Sequence, residues 1–356
     1  MANACQPSAI RHLLLAIGQM GVAMRIAVDA MGGDFAPQAI VEGAVDAARA
    51  FGIEIVLVGQ RAKVERELAR HDPGDLRLEI ADAPDAIAFN EQPAIAVKTR
   101  KGLSMRVMSD LVLEGRADAC LTMGHTGAAF VAGTLVFGRI EGIARPAVGV
   151  WLLGLQPNTF IIDVGANVDC KPEYLLHFAL MGSVFMERVR GVPNPRVALL
   201  ANGAEDNKGN ALVQAAFPLL KASGLNFIGN VEGYDIPTAK ANVIVTDALA
   251  GNVVLKYTES LSEHLLNLAD AELAARLSGD SMEKARLVIR DLRLRADYAE
   301  TGAMPLLGVN HLIFIGHGRA NAKATKSAIG EVIRAVDAKL VDAIREGLKT
   351  IDKTPG

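Results

Sequence analysis

Aromatic residues and cysteines are scarce in this 356-residue sequence. Aromatic side chains make up 4% of it, while 51% of the residues are hydrophobic and the mean hydropathy is +0.25. The core must therefore consist of Ala, Val, Leu and Ile, as in α/β proteins whose strands are buried on both faces. Cys5, Cys120 and Cys170 are odd in number and lack metal-ligand spacing, which indicates a reducing cytoplasm and buried structural thiols.

Long apolar runs and long basic blocks are also missing. No run reaches the ~18 residues of a membrane-spanning helix, and the net charge of −3 argues against nucleic acid as a partner. The apolar stretch at 13–17 is too short for a signal peptide. We expect residues 1–24 to be a disordered extension, or to precede a true start at Met24.

Several catalytic motifs are absent from the sequence. It contains no G-x-x-x-x-G-K-[ST], no G-x-G-x-x-G after the first strand and no G-x-S-x-G. The seven histidines show no H-x-x-x-H or H-E-x-x-H grouping. These absences argue against ATP, a dinucleotide, a serine nucleophile and zinc, so we expect neither a cofactor nor a metal.

Five short loops rich in Gly, Asn and Asp each follow an apolar, strand-like run. They occupy residues 29–34, 124–128, 163–169, 202–209 and 251–256. Loops at strand ends collect ligands in open α/β sheets, and small residues let backbone N–H groups approach an anion, most readily where a helix begins. The pattern predicts an enzyme that holds a small anion.

The order of the elements predicts an α/β fold with a doubly wound, mostly parallel sheet, forming a single catalytic unit over residues 25–350. Strands are predicted at 25–29, 53–58, 76–80, 117–121, 147–153, 160–163, 197–200, 227–228, 243–245 and 312–315. Helices are predicted at 37–51, 60–70, 99–115, 126–138, 172–190, 208–222 and 320–350.

Residues 253–297 break this alternation, because they show helical periodicity alone. Leucines dominate the first half, and Lys284, Arg286, Arg290, Arg293 and Arg295 surround the apolar positions of the second. We expect a protruding helical hairpin. It could pack on a second subunit or lie on an anionic membrane surface, and the two are not exclusive.

Candidate site residues lie in the loops. Residues 31–34 can wrap an anion or make a tight turn. Residues 124–127 open a helix, so that their N–H groups and the Thr126 hydroxyl could hold phosphate, and His125 could donate to an oxyanion or be structural. His317 lies in a Gly-His-Gly stretch that could equally be a plain turn.

Two basic groups add charge. Lys208 opens a helix beside Glu205 and Asp206; it would attract phosphate, while the carboxylates could cap the helix. Lys98 and Lys101 belong to a small basic cluster that would bind phosphate or form a solvated helix face.

Taken together, these motifs resemble the phosphate acyltransferases of bacterial phospholipid synthesis (the PlsX family). The resemblance runs from Arg25 to about residue 340 and rests on the stretches 25–34, 163–173, 227–233, 251–256, 305–308 and 316–318. The sequence departs from the family pattern at 123–127, where many members have Gly-Asn-Thr-Gly, and at 246–251.

The resemblance implies transfer of a long-chain acyl group from acyl-acyl-carrier protein to inorganic phosphate, giving acyl-phosphate for phosphatidic acid synthesis. It also implies a fold related to isocitrate and isopropylmalate dehydrogenases and to phosphotransacetylases. A homodimer is implied, cytoplasmic and peripherally associated with the inner face of the membrane, with a glycerol-3-phosphate acyltransferase downstream.

This chemistry fits the residues, because phosphate is itself the nucleophile and a thiol of pKa ~8.5 leaves readily. The enzyme must aim phosphate and stabilise the oxyanion. We expect Lys208, Asn202 and His125 to act in catalysis. The candidate binding residues are Asp29, Gly32, Gly33, Asp34, Lys98, Lys101, Gly124, Thr126, Gly127, Asn167, Glu205, Asn252 and His317.

Three rival interpretations remain open. The protein could be a phosphotransacetylase that uses acetyl-CoA, or a decarboxylating hydroxy-acid dehydrogenase of related fold. It could also act as a membrane-bound scaffold through residues 253–297.

Overall fold

The computed structural model describes residues 24–87, 91–151, 159–296, 299 and 302–351. Within this part of the chain eleven strands form one sheet, in the order β3-β2-β1-β4-β11-β10-β5-β6-β9-β7-β8. The strands are β1 Arg25–Asp29, β2 Glu54–Gly59, β3 Leu78–Asp82, β4 Ala119–Met123, β5 Ala147–Trp151, β6 Phe160–Ile162, β7 Val197–Leu200, β8 Phe227–Val231, β9 Val243–Val245, β10 Ala303–Leu307 and β11 Leu312–Gly316.

The sheet consists of two parallel halves that run in opposite directions. Strands β3, β2, β1, β4 and β11 are parallel, and so are β6, β9, β7 and β8. Between the halves, β10 and β5 make the antiparallel pairings. The prediction of a mostly parallel sheet is confirmed.

Helices cover both faces of the sheet, as expected of a doubly wound fold. They are α1 Gln38–Phe51, α2 Arg61–Leu68, α3 Pro93–Thr99, α4 Ser104–Leu113, α5 Thr126–Ala132, α6 Pro172–Arg188, α7 Ala211–Ala222, α8 Ala248–Arg276, α9 Gly279–Ala296, α10 Ala322–Asp337 and α11 Leu340–Ile351. Side chains alternate along each strand. Ile26 and Val28 therefore face the core that contains α1, α6, α7, α10 and α11, whereas Ala27 faces α3, α4 and α5.

Some predicted boundaries were wrong. The stretch 320–350 is two helices, because Lys339 between them has a left-handed φ of 48°. Helix α7 begins at Ala211 and not at residue 208, since the Asn210 side chain accepts from the Val213 N–H and caps it. The helix expected at 99–115 begins at Ser104, and strand β10 was missed altogether.

Helices α8 and α9 form the expected hairpin. They expose large apolar side chains: Leu249, Val253, Tyr257, Leu261, Leu265, Leu268, Leu287, Val288, Leu292 and Leu294. No helix within the described residues is both long and apolar enough to cross a membrane. Dimer or membrane contact through this hairpin stays a prediction, and residues 1–23 lie outside the described part of the chain.

Candidate active site

The loops that follow β1, β4 and β11 meet around a small cavity. These strands are neighbours in the sheet, so their carboxyl ends lie side by side. The cavity has a volume of about 100 Å³. Its lining includes Asp29, Gly32, Gly33, Asp34, Gly124 and His125 from the predicted site, together with Ser104, Thr122 and Gly318.

Glycines are required where these loops touch. A Cβ at Gly32 would lie 2.7 Å from the Met123 carbonyl oxygen, and one at Gly124 would lie 2.9 Å from the Gly318 Cα. Gly124 also has a φ of 92°, which L side chains rarely adopt. These glycines therefore bring three backbone segments together around one small space.

Two of the backbone donors expected to meet an anion hold the loops to each other instead. The N–H of Asp34 donates to the Gly318 carbonyl at 2.8 Å, and the N–H of Gly124 donates to the Gly316 carbonyl at 3.0 Å. These two hydrogen bonds therefore hold the three loops together without a bound ligand.

Asp29 is the buried carboxyl group of this cavity. Its side chain accepts from the Thr122 hydroxyl at 2.9 Å and the Met31 N–H at 3.1 Å, and it also bonds to the Ser104 side chain. Burial raises the pKa of Asp29, although these donors oppose the shift. Among the described residues that line the cavity, Asp29 and Asp34 are carboxylates and none is Lys or Arg. The cavity therefore offers carboxylates that can accept a proton.

His125 caps the helix that leaves the cavity. Its Nδ1 accepts from the Ala128 N–H at 3.2 Å, at the start of α5. In the neutral ring the proton therefore sits on Nε2. Thr126 and Gly127 are the first residues of α5, as the sequence predicted.

In the other half of the sheet, Asp163 organises its own loop. One carboxylate oxygen accepts from the N–H groups of Val148, Gly165 and Ala166, and the other accepts from the N–H and Nδ2 of Asn167. Burial raises the pKa of Asp163 against these donors. A Cβ at Gly165 would lie 3.8 Å from Cγ2 of Thr126, so this loop reaches the first half of the site.

The side-chain amides of three candidate site residues, Asn167, Asn202 and Asn252, form hydrogen bonds with the backbone. Asn167 Nδ2 also donates to the Pro146 carbonyl at 2.8 Å, and Asn252 Nδ2 donates to the Val164 carbonyl at 3.1 Å. Asn202 Oδ1 accepts from the Gly209 N–H at 2.9 Å, closing the 202–209 loop. These amides therefore fix the positions of the loops.

Lys208 and Glu205 lie in that loop and are exposed. The Glu205 carbonyl accepts from the Lys208 N–H at 3.0 Å and from Nδ2 of the buried Asn230 at 2.8 Å. The adjacent cavity has a volume of about 450 Å³. Its lining is mixed: the polar residues are Asn202, Asn210, Thr246 and Asp247, and the apolar ones include Leu175, Leu200, Leu212 and Val213. Neither Lys208 nor Glu205 lines the cavity around Asp29.

The remaining candidates lie at the periphery. Lys98, near the end of α3, and Lys101 are exposed. His317 lies between its strand and Gly318; its Nδ1 accepts from the Arg319 N–H at 3.1 Å. It lines a third cavity, at the base of the hairpin. The sequence analysis missed Ser104 and Thr122, because hydroxyls inside an apolar strand or at a helix start carry no signal of their own.

Comparison with known proteins identifies the family. The family described as "Fatty acid synthesis protein" matches residues 24–342. The chain belongs to this family. A phosphate acyltransferase of Endomicrobium trichonymphae is 45% identical over 333 residues, which cover 91% of this chain and 98% of the relative. One from Desulforudis audaxviator is 43% identical over 326 residues, covering 91% and 96%.

Solved structures of low identity share the family's fold. A phosphotransacetylase from Streptococcus pyogenes superposes with a TM-score of 0.56 at 17% identity, covering 94% of this chain and 99% of its own. A 4-hydroxythreonine-4-phosphate dehydrogenase from Klebsiella pneumoniae gives 0.53 at 14% identity, covering 88% and 100%. The predicted relationship to the phosphotransacetylase fold is confirmed.

Proposed function

We propose that this protein is a phosphate acyltransferase that moves a long-chain acyl group from acyl-acyl-carrier protein to inorganic phosphate. The phosphate acyltransferase relatives at 43–45% identity support the reaction. The observation that carries our assignment of its site is the small cavity in which glycine loops surround the buried carboxyl of Asp29.

The balance of the reaction explains why a carboxyl group suits this cavity. A phosphate oxygen attacks the thioester carbonyl carbon, an oxyanion forms, and collapse breaks the C–S bond to release the thiol. Hydrogen phosphate begins with one P–OH proton, and that proton must end on the thiolate. We assign to Asp29 the role of accepting a hydrogen bond from the P–OH, taking up its proton and passing that proton to the departing thiolate, because a buried carboxylate whose pKa is raised is a stronger base than an ordinary one.

The surrounding groups stabilise the developing charge. We assign the N–H groups at the start of α5 and Nε2 of His125 to the oxyanion, since preorganised donors aimed at a developing negative charge lower the barrier strongly in acyl transfer. We assign to the exposed Lys208, in the 202–209 loop, the attraction of phosphate to the protein. We place the acyl chain along the apolar side of the cavity beside Asn202, which Leu175, Leu200, Leu212 and Val213 form.

The hairpin is the proposed contact with a second copy of the chain and with the inner face of the membrane. Its exposed leucines, together with Arg286 and Arg290 on α9, support both roles. The product acyl-phosphate would then be released beside the membrane, where a glycerol-3-phosphate acyltransferase could use it for phosphatidic acid.

The test is phosphate-dependent release of free thiol from long-chain acyl-acyl-carrier protein, with acetyl-CoA assayed in parallel and sulfate replacing phosphate as the control. We expect release from the carrier substrate in phosphate alone, with acyl-phosphate trapped by hydroxylamine. Release from acetyl-CoA alone would make the protein a phosphotransacetylase. No release from either substrate would contradict the proposal.

A further inference from the structure

We propose that the cavity at the base of the hairpin receives the phosphopantetheine arm of the thioester donor, with Arg290, Arg293 and Arg319 meeting the phosphate of that arm. The inference rests on the proposed function, because only a thioester donor of that kind carries such an arm. The same arm belongs to acyl-carrier protein and to coenzyme A, and the experiment separates these sources.

The cavity has the size of a small-molecule site. Its volume is about 590 Å³, within the usual range of roughly 300–1,000 Å³ for such sites. Helices α8 and α9 form one wall, and the loops that follow β1 and β11 form the other. The lining residues are Phe35, Glu259, Ser262, Glu263, Leu266, Arg290, Arg293, Leu294, His317, Arg319 and Asn321.

This cavity adjoins the small cavity around Asp29. Asp34 and Gly318 line the small cavity, whereas Phe35, His317 and Arg319, their neighbours in sequence, line the larger one. The Asp34 N–H donates to the Gly318 carbonyl at 2.8 Å, so the two loops lie together between the cavities. An extended arm that crosses these loops would bring its sulfur end toward Asp29.

The charges of the larger cavity suit a phosphate diester. Three arginines face two glutamates, and Glu259 already pairs with Lys256 at 2.9 Å. Arg293 lies 3.7 Å from Asp270 and Arg290 lies 3.6 Å from Asp291. Both distances exceed the roughly 2.7–2.9 Å of a strong charge-assisted bond. An entering phosphate could therefore replace these contacts with short bidentate ones.

The other lining residues suit the uncharged part of the arm. Phe35, Leu266 and Leu294 provide apolar surface, and Ser262 and Asn321 can bond to amide groups. Burial, followed by the nearby Lys256, lowers the pKa of His317, so that its ring is neutral near pH 7 and adds no charge. The lining of the cavity thus combines three cationic side chains with apolar and hydrogen-bonding groups.

The test compares 4′-phosphopantetheine with pantetheine, which lacks the phosphate, by calorimetric binding to the full-length protein. We expect the phosphorylated probe to bind at least about tenfold more tightly to wild type, since bidentate charge-assisted contacts between arginine and phosphate are among the stronger hydrogen bonds. In Arg290→Ala/Arg293→Ala, which keeps Arg319 alone of the three arginines, that difference should shrink by at least about threefold. Arg276→Ala, which changes an exposed arginine at the end of α8 outside the lining, should keep it.

Turnover distinguishes the sources of the arm. The double variant should raise the KM for acyl-carrier protein and for acyl-CoA alike. If the double variant binds holo-carrier protein more weakly than wild type does but binds 4′-phosphopantetheine equally well, the arginines contact the carrier surface, and the proposal is overturned. Equal binding of the two probes to wild type overturns it as well. If the phosphorylated probe is preferred but no thiol is released, the proposed function fails while the cavity assignment stands.

Discussion

Asp29 and Asp163 show how the same local pattern serves two different purposes in the two halves of the sheet. Asp29 is the last residue of β1, and Asp163 directly follows β6. Each precedes a glycine-containing loop and is buried, and burial raises the pKa of each. Five N–H hydrogens point at Asp163, so both of its oxygens are occupied within its own loop. Asp29 instead lines a cavity.

The chemistry of the partners explains the difference. Thr122 and Ser104 offer hydroxyls to Asp29, and a hydroxyl can either donate or accept. Asp29 can therefore gain or lose a proton without losing these partners. A proton on Asp163 would point at an N–H group. One carboxyl is built to exchange a proton and the other to hold a loop.

The largest predicted effect is on turnover in Asp29→Asn. Loss of the proton acceptor should lower phosphate-dependent thiol release by about 1,000-fold, or about 4 kcal/mol in activation free energy. Steady-state assays under saturating phosphate measure it. A loss of less than about threefold would remove Asp29 from the proton transfer.

Asp163→Asn should show the reverse profile, with stability as the main loss. The side-chain NH2 of an asparagine at this position would face the two N–H groups of Asn167, and an N–H group cannot accept a hydrogen bond. We expect the free energy of unfolding to fall by about 3 kcal/mol, measured by chemical denaturation. Asn167→Ala, which removes one of the two donors, should recover part of this loss in the double variant. Stability unchanged within about 0.5 kcal/mol in Asp163→Asn would refute the structural role.

Lys208→Ala tests whether the exposed loop of the second half takes part in the reaction. If Lys208 meets the transition state, turnover should fall at least about 100-fold. Lys63→Ala, an exposed lysine on α2, is the matched control and should keep wild-type turnover. A loss of less than about threefold in Lys208→Ala would confine the chemistry to the first half.

The smallest effect is a gain in stability for Asp29→Asn. The pKa of Asp29 is raised in the folded protein, so the wild type loses stability as the pH rises from the unfolded-state pKa of about 3.9 through the folded-state pKa. Asn carries no such penalty. Thermal unfolding should give the variant an advantage over wild type at pH 8 that shrinks toward pH 4.

His125 and Asp34 also line this cavity and are unchanged by the substitution, so they contribute to both proteins alike. A variant less stable than wild type at pH 8 would mean that Asp29 stabilises the fold in its ionised form.

Much of this arrangement could be predicted from the sequence, because it depends on local pattern. Apolar runs and glycine loops located β1, β4, β11 and the residues that surround Asp29. Strand β10 was not predicted, because Pro305 argues against a central strand. In the structure Pro305 lies opposite Phe314 in an antiparallel pairing.

What could not be predicted depends on which segments meet in space. In the sequence, Thr122 comes directly after the predicted strand 117–121, and Ser104 lies inside the predicted helix 99–115. Only folding places both hydroxyls beside Asp29. Lys208 carries the strongest local signal for phosphate, yet it lies on a different loop from the small cavity. Charge in a sequence indicates affinity for an anion and not where the anion binds.

A crystal structure of the wild-type protein with bound phosphate would test the central claim most directly. The account predicts phosphate in the cavity between the loops after β1, β4 and β11, with one oxygen within hydrogen-bond distance of the Asp29 carboxyl. Phosphate bound instead at Lys208 and the start of α7, with the Asp29 cavity holding water at saturating phosphate, would contradict it.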